Sequence, residues 1–290
     1  MRWLALLILP LLAACPSSAD EKDELIAKQK MTALERMKKF DNEKPVVVET
    51  ENLILCGNLE EDKLKATGEM VQKHYALALK ALKFEMSDNP PKGKIAVLLF
   101  PDRKQYVLLV GDLTNDRVEK DDRSHSDGRG DTPWVAVSVL PGGKPTDLDV
   151  EASGQIAVAL LQNKAGNARL SSWMRDGFAK AVLMRSNPGT ASTDRATIRR
   201  VLAEAKGKPA KYKVSDIWAS GGDPDKRVLA ASLMEYFVFG SGGPTFAKLL
   251  SNLLPVEGTP NPTIDFAIKA AEIKPEELDR AWKKWVATGK

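Results

Sequence analysis

VEASGQIAVALLQNKAGNARLSSWMRDGFAKAVLMR, residues 150 to 185, reads as two helices around a short polar turn, and the rest of the chain is arranged about it. In its first half Glu151 and Gln155 stand four residues apart, which puts both side chains on one face of a helix. Its second half carries Trp173-Met174-Arg175-Asp176-Gly177-Phe178-Ala179, with Asp176 falling 21 residues after Gln155. That separation suits a helix, a turn and the first turn of a second helix.

Upstream of this pair, WVAVSVL (134–140) alternates as a strand, and Pro141-Gly142-Gly143-Lys144-Pro145 turns the chain out of it. Thr146 or Asp147 can then cap the helix that carries Glu151. Before the strand comes GDLTNDRVEKDDRSHSDGRGDT (111–132), expected as a solvated, mobile loop. Its aspartates Asp121, Asp122, Asp127 and Asp131 do not follow the alternating oxygen pattern of a calcium loop, and a three-residue Arg129-Gly130-Asp131 match arises easily by chance. Lys94 to Phe100 is apolar after its first residue, as a central strand is, and a short helix from Asp102 to Leu109 follows it with Tyr106.

Leu59 to Phe84 has the three- and four-residue steps of a long helix, through Leu64, Tyr75, Ala78 and Leu82. His74 borders that stripe and reads as a packed or half-exposed side chain rather than a ligand. Val46 to Val48 and Leu53 to Cys56 are short strands, with Cys56 a small buried hydrophobe. Asp20 to Phe40 is a charged, solvated helix. Past Arg185 the amphipathic segments 195–206, 225–239, 244–254, 262–271 and 275–286 alternate with proline- and glycine-bearing breaks. Trp282 and Trp285, three apart, mark a docking face on the last helix. The fold class is therefore α+β: an N-terminal small mixed sheet with a long helix over 46–185, then a mainly helical part, 186–290, of the same domain.

Residues 1–14 are expected to be a lipoprotein signal peptide: Arg2, an apolar run from Trp3 to Leu12, and the lipobox Leu12-Ala13-Ala14-Cys15. The run is shorter than the roughly 20 apolar residues a spanning helix needs. Cys15 would carry the lipid, and 15–45 would form a tether and the charged helix, placing the chain on the extracytoplasmic side of a bacterial envelope with the membrane as its first partner. Setting Cys15 aside leaves Cys56 alone, so no intramolecular disulfide forms and stability rests on a packed core. The formal charge of +4 falls to +3 without Arg2, with both signs scattered along the chain, so there is no nucleic-acid stripe.

This order of elements resembles the gluzincin-type zinc peptidases, in particular the peptidase MA-like domains of bacterial secreted proteins and lipoproteins. Three stretches carry the resemblance, which spans roughly Val46 to Val286: Phe100-Pro101-Asp102-Arg103-Lys104-Gln105-Tyr106, the Trp173 to Ala179 signature, and Leu278-Asp279-Arg280-Ala281-Trp282. The resemblance implies a zincin-like helical portion, with Trp173, Gly177 and Ala179 as its packing signature. It also implies that Glu151 and Gln155 stand where the family's HExxH motif has its two histidines, that Ala152 stands at the general base, and that Asp176 stands at the third ligand. Zinc hydrolysis needs imidazole ligands and a carboxylate base, yet Gln155 offers only an amide oxygen and Ala152 no proton acceptor. Asp176 is one methylene shorter than glutamate, and the only histidines are His74 and His125.

The expectation is thus a lipid-anchored pseudoenzyme without catalytic residues, zinc or other cofactor. Its cleft would be kept for architecture or for binding an envelope protein or a peptide. The alternative is an atypical metal-dependent hydrolase in which the oxygen donors Glu151, Gln155 and Asp176 hold a hard cation such as Ca²⁺ or Mg²⁺. A further competing use of Glu151 and Asp176 is pairing with Arg169 or Arg175. Met174 and Phe178 are the side chains positioned to plug the groove between the two helices. A purely structural lipoprotein that docks a partner through the Trp282/Trp285 helix is the third reading.

Overall fold

The computed structural model describes residues 18–40, 44–83, 91–115, 117–140, 142–144, 146–189, 191–203, 212–218 and 223–289. Cys15 and the signal peptide before it lie outside the described residues.

Three apolar runs become the middle of one sheet. β2 (Leu53–Gly57), β3 (Ile95–Phe100) and β5 (Trp134–Ser138) are buried at every residue and run parallel, as expected of strands covered on both faces. β1 (Val46–Glu49) and β4 (Ser124–Asp127) flank them antiparallel, giving the order β1-β2-β3-β5-β4. Side-chain alternation sends Ile54, Cys56, Leu98 and Phe100 to one face and Leu53, Leu55, Val97 and Leu99 to the other.

The first face is covered by α1 (Ser18–Phe40) and α3 (Arg103–Thr114). α1 is not merely a solvated stalk. Its second half docks through Ala33 and Met37, each 1% exposed, and its buried Gln29 bonds the carbonyls of Lys92 and Asp131 and the amide of Lys94. Asp102 caps α3 by accepting from the Lys104 amide at 2.9 Å.

The second face carries α2 (Glu61–Ala81) and α4 (Thr146–Ala165), joined by Asp149, which accepts from Lys63 Nζ at 2.6 Å and Thr67 Oγ1 at 2.7 Å. α5 (Ser172–Ser186) lies against α4 and against α8 (Pro224–Phe239), which is buried continuously from Leu229 to Val238. Around α8 pack α6 (Ala191–Leu202), α7 (Val214–Trp218), α9 (Gly243–Ser251) and α11 (Pro275–Thr288), with α10 (Ile264–Ala270) beside α9. The fold is α+β, with the small mixed sheet on the N-terminal side and helices after it. One apolar core runs from Leu53 through α4 and α8 to Trp282, so the 46–185 and 186–290 parts share their interior.

Two differences from the sequence expectation lie in the 111–132 segment. α3 continues to Thr114, and Ser124 to Asp127 is an edge strand rather than loop. Residues 119 to 122 are held by Arg103, which donates to the carbonyls of Glu119 at 2.8 Å, Lys120 at 2.7 Å and Asp122, and in β4 His125 Nδ1 lies 2.8 Å from Tyr106 Oη. A five-residue helix, α7, is too short to show periodicity in sequence.

Candidate functional site

α4 sits with a neighbour on each side, and each of its faces carries a residue suited to that neighbour. Gly154 looks at α5, where a Cβ would come within 3.6 Å of Ala179 Cβ. Asp149 looks at α2. Glu151, Gln155 and Gln162, at helical steps of four and seven, look at β4.

The β4 contact closes over the two positions that sequence singled out. Ser124 Oγ donates to Glu151 Oε2 at 3.3 Å, and Arg123 Nη1 ion-pairs with Glu151 Oε1 at 3.4 Å. Ser126 Oγ donates to Gln155 Oε1 at 3.0 Å. Gln162 then binds the strand as another strand would: its Nε2 donates to Ser126 O at 3.0 Å and its Oε1 accepts from Gly128 N at 3.0 Å. Asn163 adds a bond to Gly128 O at 3.1 Å. The approach needs glycine, since a Cβ on Gly128 would fall 1.7 Å from the Ala159 carbonyl oxygen.

Ala152, expected from the resemblance at the general-base position, is fully buried in the core. Glu151 pairs with Arg123, not with Arg169 or Arg175, and Asp176 has no hydrogen bond or ion pair to Glu151 or Gln155 among the described residues. Asp176 is exposed as a residue, yet partial desolvation of its carboxyl raises it above the ordinary value against the attraction of Arg175 and Arg227. Among the described residues no three His, Cys, Asp or Glu side chains group as a metal-binding set. The donors present do not fit zinc: one carboxylate is held by a guanidinium, the amide oxygen is taken by a serine, and the imidazole on the same strand, His125, is engaged by Tyr106 Oη at 2.8 Å. For a hard cation the obstacle is Arg123, whose charge stands on the best available ligand.

Met174 and Phe178, the side chains expected at the groove between α4 and α5, are both fully buried in the main core. In the packing signature, Trp173 is 3% exposed, Ala179 meets Gly154, and Gly177 lets α5 approach α8, where a Cβ would lie 2.8 Å from Ala230 O. Trp282 is also core: its Nε1 donates to Ser232 Oγ at 3.1 Å, and Trp285 packs on Tyr236 with ring centroids 5.8 Å apart. Through these two tryptophans their helix docks onto α8.

Cys56 is inert, its thiol pushed up to about 12 by burial. His74 links helices, with Nδ1 2.9 Å from Met70 O and Nε2 2.8 Å from Ser186 Oγ. In the Arg129-Gly130-Asp131 turn, Asp127 accepts two bonds from the Arg129 guanidinium, at 2.8 and 3.0 Å, and one from its amide at 3.1 Å, and the Asp131 carbonyl accepts from Gln29. The residues that sequence reasoning missed are Arg123, Ser124, Ser126, Gly128 and Gln162. The signal for them was present in the alternating Ser124, Ser126, Gly128 and in Gln162 seven residues after Gln155.

No protein-family model matches the chain, and a search of the curated proteins finds no match.

Proposed function

We propose that this chain is a lipid-anchored envelope protein on a peptidase MA-like plan, whose former catalytic helices serve a non-catalytic, structural or binding role. The observation that carries this reading is the engagement of Glu151 by Arg123 and Ser124 and of Gln155 by Ser126. A working zinc peptidase leaves an open coordination position and a base aimed at it; supporting the reading, Ser124 and Ser126 bond Glu151 and Gln155, and Ala152 offers only a buried methyl group. The lipid anchor rests on the Leu12 to Cys15 lipobox.

The test is elemental analysis of protein purified without chelator, together with cleavage assays on a broad peptide library. No bound zinc and no cleavage is the expected result. Stoichiometric zinc with hydrolysis that disappears in Asp176→Ala would overturn it. Calorimetric titration with Ca²⁺ and Mg²⁺ is expected to give only heat of dilution, and saturable binding lost in Glu151→Gln would restore the hard-cation alternative. Metabolic labelling with a fatty acid, lost in Cys15→Ser, checks the anchor.

A further inference from the structure

Away from the α4 and β4 contact, the C-terminal ends of α5, α6 and α11 and one side of α8 enclose a pocket of about 410 Å³. That volume lies in the range of sites that take small molecules. Its polar side is made of three guanidiniums, Arg185, Arg195 and Arg199, against one carboxylate, Glu235. Glu235 is 4% exposed and holds Arg195 Nη2 at 3.0 Å, with Arg185 Nη1 at 3.7 Å from the same oxygen. Arg185 also lies over the Phe239 ring, 5.0 Å from its centroid.

The side chain of Arg199 stands one turn beyond Arg195 and has no hydrogen bond or ion pair among the described residues, although it lines the pocket. Three cations and one anion leave an excess of two positive charges. The three helix ends nearby supply partial negative charge of about 0.5 each, which reduces that excess without cancelling it. A buried carboxylate that fixes one arginine beside another is an arrangement that presents planar donors already oriented for an oxyanion. Aromatic surface in the lining comes from Phe239, beneath Arg185, and from the half-buried Trp285.

We propose that this pocket binds a soluble small molecule carrying a phosphate or carboxylate on an aromatic or similarly flat apolar body. The oxyanion lies on Arg195 and Arg199 and the body lies against Phe239 and Trp285. Glu235 is a positioning residue for Arg195. The ligand site is thereby separate from the closed contact at Glu151 and Gln155, and it does not depend on the peptidase-like ancestry.

Calorimetric titrations with phenyl phosphate, benzoate, inorganic phosphate and phenol test it. Phenyl phosphate or benzoate is expected to bind saturably, at least tenfold more tightly than inorganic phosphate, with phenol giving no heat. Arg199→Glu is expected to weaken that binding at least tenfold. Arg200→Glu makes the same charge change on an exposed neighbour outside the pocket and is expected to stay within twofold of the parent; circular dichroism confirms that both variants are folded. The proposal is overturned by the absence of saturable binding, by equal loss in the two variants, or by inorganic phosphate binding as tightly as phenyl phosphate. Binding confined to phosphatidylglycerol vesicles, with none to the free probes, overturns it in favour of a lipid surface.

Discussion

Gly128 and Gln162 show how local chemistry sets the character of the α4 and β4 contact, and Asp176 on α5 shows a different effect. Gly128 is required for space, because any Cβ meets the Ala159 carbonyl. Gly128→Ala should therefore cost about 3 kcal/mol, the upper end for overpacking, measured by urea denaturation. Gln162→Leu removes a matched donor and acceptor and leaves Gly128 N and Ser126 O without those bonds. We expect about 2 kcal/mol from that change, with faster amide exchange at Gly128 as its local signature. Asp176 has the opposite sense. A carboxyl raised above its unfolded value binds its proton more tightly when folded, so its contribution to stability falls as pH rises through the ordinary carboxylate range. Asp176→Asn should accordingly raise the melting temperature at neutral pH, with the gain fading in acid below that range.

At the scale of elements, the position of α1 depends on charge as well as packing. Glu49 at the edge strand β1 bonds Lys30 of α1 at 2.7 Å and Lys94 beside β3 at 3.0 Å, and these bonds hold its carboxyl below the ordinary value. A lowered acid stabilises fully above its unfolded value and loses that contribution as pH falls through its folded one. Hydrogen exchange should thus show α1 loosening in acid before the central strands do, and Glu49→Gln should remove the pH dependence. β2, β3, β5 and the two helices of the 150–185 stretch were legible in sequence because continuous burial writes itself as continuous apolar residues or helical steps. β4 was not legible, since half-buried Ser124, His125 and Ser126 set polar groups against polar partners remote in sequence and Asp127 turns to Arg129, so no hydrophobic period marks it. Glu151 and Gln155 were recognisable as a pair on one helical face. Their partners were hidden in a segment that composition alone assigns to solvent.

For the molecule as a whole, the interior shared by sheet and helices hangs on large residues far apart in sequence. Trp282 is fully buried on α8, so Trp282→Ala should cost about 3 to 5 kcal/mol and lower the denaturation midpoint of the sheet and helices together, because both parts share one core. The enclosure of α4 bears on the order in which the chain assembles. β4, β5, α4 and α5 are consecutive, so the surroundings of α4 on three sides come from residues 124 to 186, with short loops to close, whereas Trp282 of α11 reaches back 50 residues to Ser232. That block should form the folding nucleus. In stopped-flow refolding, Leu160→Ala in α4 is expected to slow folding, while Trp282→Ala leaves the folding rate nearly unchanged and accelerates unfolding.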